Sequence, residues 1–256
     1  METPNVSIAS SSKYEYYYMY KNCSSLNEIK VNFSAWGSNS STGWFDGIYN
    51  TSPSGYFICP IGLSIARNKD KIPTNWTVLY EDDNKELPLT LIAEEAGSTV
   101  SLSGIGNPTK SGLKYRTNSN TSWTSYPFEN DSGLEVTLTN KNDWVQFKNT
   151  ENTLSTSSSN YIKFIMSGKI IAKGNCNSLI NYQNVNQGCF YSLFINCSSL
   201  LEPPELPSLN IAVNSYCCMF TGCSNLRRVP KLPGTSVSTG SYQQMFQRLH
   251  IINGST

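Results

Sequence analysis

The chain of 256 residues carries eight cysteines but a single histidine, His250. A Ser-His-Asp triad or a histidine-based metal centre therefore has almost nothing to draw on. The cysteines include no C-x-x-C pair for zinc or redox work, and a ligand or nucleophile role for Cys23, Cys197 and Cys223 competes with a structural one developed below. Ser157-Ser158-Ser159 and Gly104-Ile105-Gly106 fail on context. The glycines run into Asn107-Pro108 with no helix-opening apolar pattern, so backbone amides would not converge on a phosphate. Glu94-Glu95 and Asp82-Asp83 are sequence neighbours, and neighbours on a strand face opposite sides, so neither forms an acid/base pair by spacing. A glycoside hydrolase built on carboxylates distant in sequence is the one enzyme reading that spacing leaves open. No catalytic residue, metal ligand or cofactor is expected.

The elements that must position any site are set by a repeat. Displacing the C-terminal third by 26 residues aligns Phe194 with Phe220 and Phe246, Cys197 with Cys223, Ser198 with Ser224 and Leu200 with Leu226. Pro204, Leu206 and Pro207 fall on Pro230, Leu232 and Pro233, Tyr216 falls on Tyr242, and Leu193 on Met219 and Met245. The unit reads Y-x-x-M-F-x-x-C-S-x-L-x-x-x-P-x-L-P, and its period lies in the range of leucine-rich repeats. Tyr216, Met219 and Phe220 stand at i, i+3 and i+4, which predicts one face of a helical turn. A cysteine at the same point of each coil is what a small buried hydrophobe looks like in a stacked solenoid. Leu226 to Leu232 is expected as an extended, proline-ended run, with Leu200, Leu206, Leu226 and Leu232 buried. Cys217 and Cys218 have no such assignment. Near the N-terminus Tyr16, Met19, Tyr20, Cys23, Ser24 and Leu26 keep the same internal offsets, so the chain is expected to open and close partway through repeats.

These M-F-x-x-C-S-x-L units resemble the BspA-like leucine-rich repeats of surface proteins from gut and oral anaerobes and from the phages that infect them. The resemblance covers roughly residues 1–80 and 175–256. It departs in register between Pro4 and Tyr16, and after Leu26, where Val31-Asn32-Phe33 replaces the P-x-L-P ending. It implies non-enzymatic ligand-binding or adhesive modules.

Between the repeats lie two other pieces. Residues 36–80 are rich in Trp36, Trp44, Phe45, Tyr56, Phe57 and Trp76 among Gly and Ser turns. One reading is a hydrophobic cap over the end of a solenoid; the other is an exposed platform on which sugar rings stack, with Trp44, Tyr49 and Tyr56 as binding residues. Glu81–Glu86 reads as a charged linker. Beyond it, Leu134/Val136/Leu138 and Val145/Phe147 alternate as half-buried strands do, and eight segments follow: 87–94, 99–104, 113–117, 122–128, 134–139, 144–148, 161–168 and 169–173. Asn118-Ser119-Asn120 reads as a hairpin turn. The fold class expected is mixed but mainly β, with leucine-rich-repeat pieces at 1–80 and 175–256 flanking an immunoglobulin-like or jelly-roll β-sandwich at 81–174.

Net charge of +1 with 14% charged residues provides no field to gather nucleic acid or an anionic membrane. No run of apolar residues approaches the length of a membrane span, and the first fifteen lack a signal-peptide core. The chain is expected to act at a cell surface or on a virion, recognising a surface glycan or protein through its repeat surfaces. The alternative is a structural element of a virion fibre or surface layer that assembles with itself.

Overall fold

The computed structural model describes residues 18–36, 42–49 and 54–249; Pro4, Tyr16 and His250 lie outside them. Contacts divide the chain into two compact units, Met1–Leu87 and Pro88–Thr256. The described residues form strands and turns, with one short 3₁₀ turn at Cys176–Ile180 and no α-helix.

The first unit holds a parallel sheet of β1 (Glu28–Lys30), β2 (Tyr56–Cys59) and β3 (Thr77–Tyr80), in which Ile29 pairs with Phe57 and Phe57 with Val78. Their inward side chains join Tyr20, Phe33, Trp44, Phe45, Ile72 and Trp76 in one core. Glu81–Glu86, expected as a charged linker marking a boundary, is a turn at the end of this unit in which residues 83–86 are exposed and Glu81 and Asp82 are buried. Glu81 is 3% exposed and its carboxylate lies 2.9 Å from Lys30 Nζ. Its N–H donates to Cys59 O, and the Lys85 N–H closes the turn onto Asp82 O. Glu81 is buried despite its charge because Lys30 stands within reach to compensate it.

The second unit contains β4 (Leu89–Ala93), β5 (Ser98–Ile105), β6 (Leu113–Thr117), β7 (Thr124–Ser125), β8 (Phe128–Glu129), β9 (Ser132–Gly133) and β10 (Val136–Leu138). These are followed by β11 (Trp144–Asn149), β12 (Tyr161–Ser167), β13 (Ile170–Lys173), β14 (Leu200–Glu202), β15 (Asn210–Ile211) and β16 (Ser236–Val237). One sheet runs β14-β13-β4-β11-β6-β7; a second joins β10, β5, β9 and β8, with β12 also on β5. Both feed a common core through Leu91, Val100, Leu102, Phe147, Ile162 and Phe164, the side chains the alternation points inward. No break occurs at residue 174. β14 pairs in parallel with β13, Ile170 opposite Leu200, and the core continues unbroken to Met245. The piece at 81–174 and the piece at 175–256 thus share a sheet and a core.

From Gly188 onward the chain does not form the helical turns its spacing predicts. It runs in rows of β-turns with a left-handed residue every fourth position: Gly188, Ser192 and Asn196; Asn214, Cys218 and Gly222; Gly240, Gln244 and Arg248. Within a row alternate N–H groups close their own turn, as Leu193 to Phe190 O at 3.2 Å and Met219 to Tyr216 O at 3.2 Å. The intervening ones reach the next row: Phe190 to Ser215 O, Ser192 to Cys217 O, Phe194 to Met219 O and Phe220 to Met245 O, at 2.9–3.0 Å. A four-residue turn period keeps i and i+4 on one side as a helix does, which is why the apolar pattern is ambiguous. The same rule operates in the first unit, where Tyr20 N–H donates to Trp44 O at 3.1 Å and Cys23 N–H to Tyr20 O at 3.1 Å.

This register stacks aromatic rings into columns. Phe164, Phe194, Phe220 and Phe246 follow one another at centroid distances of 5.0, 5.5 and 5.9 Å, with planes within 10° of parallel. Phe190, Tyr216 and Tyr242 form a second column at 5.6 and 5.7 Å. Cys197 Sγ donates to Phe164 O at 3.3 Å and Cys223 Sγ to Phe194 O at 3.0 Å, so these thiols satisfy buried carbonyls as well as fill space. Cys23 departs from the expectation of burial. It is exposed, and its thiol reaches only Lys21 O of its own turn, at 3.8 Å.

Leu200, Leu206 and Leu226 are buried as expected, but Leu232 is 41% exposed. Leu206 is held where Glu205 bridges to Asn175 in parallel. Arg227 N–H bonds to Leu201 O, and among the described residues no strand pairing follows between 203–207 and 229–233. The run Leu226–Leu232 is therefore not a strand, and the parallel ladder falls instead on β15 and β16, Asn210 opposite Ser236.

A Cβ at Gly222 or Gly240 would strike the side chain of Asn196 or Asn214 in the preceding row, at φ values of +75° and +69°. Gly222→Ala and Gly240→Ala are each expected to cost about 1–3 kcal/mol. Arg248→Gly, at an equivalent left-handed position, is expected to be neutral or stabilising, whereas a helix would lose about 1 kcal/mol. Urea unfolding of the three variants measures this.

Candidate functional site

The aromatics assigned to binding do not converge. Trp44 is fully buried, edge-on to Tyr20, Phe33, Trp36 and Phe45 at 5.5–6.1 Å. It offers no free face for a sugar ring, which corrects its assignment as a binding residue in favour of core packing. Tyr49 is half-buried against the same core, and its carbonyl accepts from Thr74 Oγ1 at 3.1 Å. Tyr56 is half-buried at the start of β2, next to Phe57, which enters that core while Tyr56 does not. Alternation along the strand puts the two on opposite faces, so Tyr56 cannot form one platform with Trp44.

A concave feature of the described surface lies elsewhere, in the second unit. A cleft of about 540 Å³ opens between the β6–β7 hairpin and the β10–β11 connection. Tyr115 and Leu134 supply apolar surface; Thr117, Asn118, Ser119, Asn120, Thr124, Thr137, Thr139 and Asn140 supply hydroxyls and amides. The Asn118-Ser119-Asn120 turn does sit between β6 and β7, closed by Thr117 N–H to Asn120 O at 2.9 Å, with the Thr117 and Ser119 hydroxyls 2.9 Å apart.

Asp143 fixes the floor. Its Oδ1 accepts from Asn118 Nδ2 at 2.9 Å, and its Oδ2 from the Asn140 backbone N–H at 2.9 Å and from Asn140 Nδ2 at 3.3 Å. Asn118 Oδ1 in turn accepts the Trp144 N–H at 3.1 Å. The carboxylate is thus spent on tying two loops together. Arg116 also contributes to the lining, but its Nε donates to Gln146 Oε1 at 2.7 Å and its guanidinium lies 4.4 Å from the Trp123 ring centre. Asp143 is the only carboxylate among the lining residues, and no histidine, cysteine or lysine joins it. The arrangement therefore lacks the two carboxyl groups that glycoside hydrolysis uses. What it offers is an array of hydroxyls and amides, with Arg116 and Asp143 each bonded to a neighbouring amide, beside an apolar wall of Tyr115, Leu134, Val136 and Leu138.

Sequence reading found the turn at 118–120 but not the cleft. The missed signal is Asn140 three residues ahead of Asp143, a spacing at which a side chain caps its own loop. Among the described residues no group of three or more His, Cys, Asp or Glu could hold a metal ion, and no helix is long and apolar enough to cross a membrane. No protein-family model, curated protein or solved structure matches the chain, so the resemblance to BspA-like repeats rests on the residues quoted above.

Trp44→Ala is expected to destabilise the first unit by about 3–5 kcal/mol through cavity formation, seen as an early transition in near-UV circular dichroism. Unchanged unfolding would return Trp44 to the list of binding candidates.

Proposed function

We propose that this protein is a non-enzymatic recognition module that binds a glycan or protein of a cell surface, carried on a cell surface or a virion, with the turn rows acting as a leucine-rich-repeat type of solenoid. The observation that carries this reading is the cleft between β6–β7 and β10–β11. Its lining is rich in neutral hydroxyl and amide groups and its one carboxylate is already held by two asparagines. Such a surface exchanges hydrogen bonds with a polyhydroxylated ligand without desolvating free charge. The resemblance to adhesive repeat proteins agrees with it. The binding residues are then Tyr115, Asn118, Ser119, Thr137 and Asn140 rather than Trp44, Tyr49 and Tyr56.

The test is a glycan array with the full chain, followed by calorimetry on any hit. Thr137→Trp, at an exposed position of β10, fills the cleft without touching the Asp143 bonds. It is expected to lower affinity at least tenfold, about 1.4 kcal/mol, with unchanged melting temperature. Retained affinity in this variant would move the binding surface away from the cleft.

Self-assembly is the second reading, and one observation favours it: Leu209, Val213, Leu232 and Val237 are 37–54% exposed around β15 and β16. Exposed apolar side chains beside a short parallel ladder are what a further contact covers. Sedimentation velocity over a range of concentrations tests this reading, which predicts concentration-dependent association of the wild-type chain that Leu209→Ser with Val237→Ser weakens.

A further inference from the structure

Cys217 and Cys218 lie in the middle turn row with their sulfurs 3.5 Å apart, both as free thiols. Their backbone is pinned from both sides. Ser192 N–H donates to Cys217 O at 3.0 Å, and Cys218 N–H donates to Gln243 O at 2.9 Å, so neither residue is free to swing its side chain away by turning its peptide. Cys218 occupies a left-handed position, φ +58°, and its Sγ lies 3.5 Å from Oε1 of Gln244, an exposed residue of the next row. Two other buried thiols are otherwise engaged: Cys197 and Cys223 donate to the carbonyls of Phe164 and Phe194. Closing the adjacent pair to the S–S bond length of about 2.0 Å takes side-chain rotation together with strain in the peptide that joins them.

We propose that Cys217 and Cys218 form a redox modification site, closing into a vicinal disulfide by exchange with a low-molecular-weight disulfide. The Cys218 thiolate attacks one sulfur of the small disulfide. That S–S bond breaks, and the departing thiolate takes up the proton Cys218 has lost. Cys217 then gives up its proton and attacks Cys218 Sγ; the mixed disulfide breaks and the second small thiol leaves. The pair loses two hydrogens and the small disulfide becomes two thiols, so atoms and electrons balance. Burial, with the neighbouring Cys218, pushes the Cys217 thiol up to about 12, so its attack in the second step is slow at neutral pH. Adjacent Cα atoms lie about 3.8 Å apart, closer than the roughly 4.4–6.8 Å of ordinary disulfides. The ring is therefore strained, and a reductant opens it readily.

The experiment incubates the folded full chain with oxidised glutathione, alkylates the remaining thiols in denaturant and cleaves with chymotrypsin. Cleavage after Tyr216 and Phe220 isolates a peptide with these two cysteines alone. The expected peptide is unalkylated, lighter by two hydrogens, and converted to the doubly alkylated form by prior dithiothreitol. In Cys217→Ser the reaction is expected to stop at a glutathione adduct on Cys218. Double alkylation of the wild-type peptide would overturn the proposal, as would a glutathione adduct persisting on wild-type Cys218; neither readout depends on the variant folding.

Discussion

The turn rows of the second unit depend on one feature of their backbone: successive N–H groups point alternately into their own turn and across to the next row. A helix satisfies its donors internally, whereas these rows leave every second donor for a neighbour. A buried N–H without an acceptor costs about 1–3 kcal/mol, so a row is stable only when another lies against it. The left-handed residue at every fourth position makes the alternation geometrically possible. Glycine or asparagine supplies that conformation at Gly188, Asn196, Asn214, Gly222 and Gly240. Asn196 and Asn214 also fill the space that a Cβ would need at Gly222 and Gly240, so the choice of residue in one row constrains the next.

The same register explains how the two-sheet core and the turn rows come to be one body. Phe164 of β12 donates its N–H to Leu193 O at 2.8 Å, following the rule by which one row addresses the next, and its ring heads the column of Phe194, Phe220 and Phe246. It also meets Phe147 of β11 edge-on at 5.3 Å. A strand residue thus stands in for a preceding row, and the core of the sheets passes into the column without an apolar boundary. Hydroxyls secure the rows where thiols do not: Ser215 Oγ donates to Asn186 O at 2.9 Å and Ser241 Oγ to Ala212 O at 2.9 Å.

How much of this was legible in the sequence varied with how local the determinant is. The strands were legible because alternation such as Val145/Phe147 is a local property, and the 26-residue displacement was legible because Phe194, Phe220 and Phe246 repeat outright. Turn against helix was not, since Tyr216, Met219 and Phe220 satisfy either period. The deciding clue, a left-handed residue every fourth place, was disguised where Ser192, Cys218, Gln244 and Arg248 take positions that favour glycine. Leu232 could not be told from Leu206 because burial depends on whether a partner segment arrives. Trp44 shows the same limit, since an aromatic cluster reads alike as core or as platform. The cleft escaped because it is assembled from segments around Tyr115, Leu134 and Asp143 that carry no shared motif.

The most direct test of the central claim is NMR detection of scalar coupling across individual hydrogen bonds in deuterated protein. The alternating rows predict a correlation from the Phe194 amide to the Met219 carbonyl and from the Leu193 amide to the Phe190 carbonyl, with the pattern repeated at Phe220 and Met219. A correlation from the Phe194 amide to the Phe190 carbonyl, with none to Met219, would mean that the segment is helical and that the account of how the rows hold together is wrong.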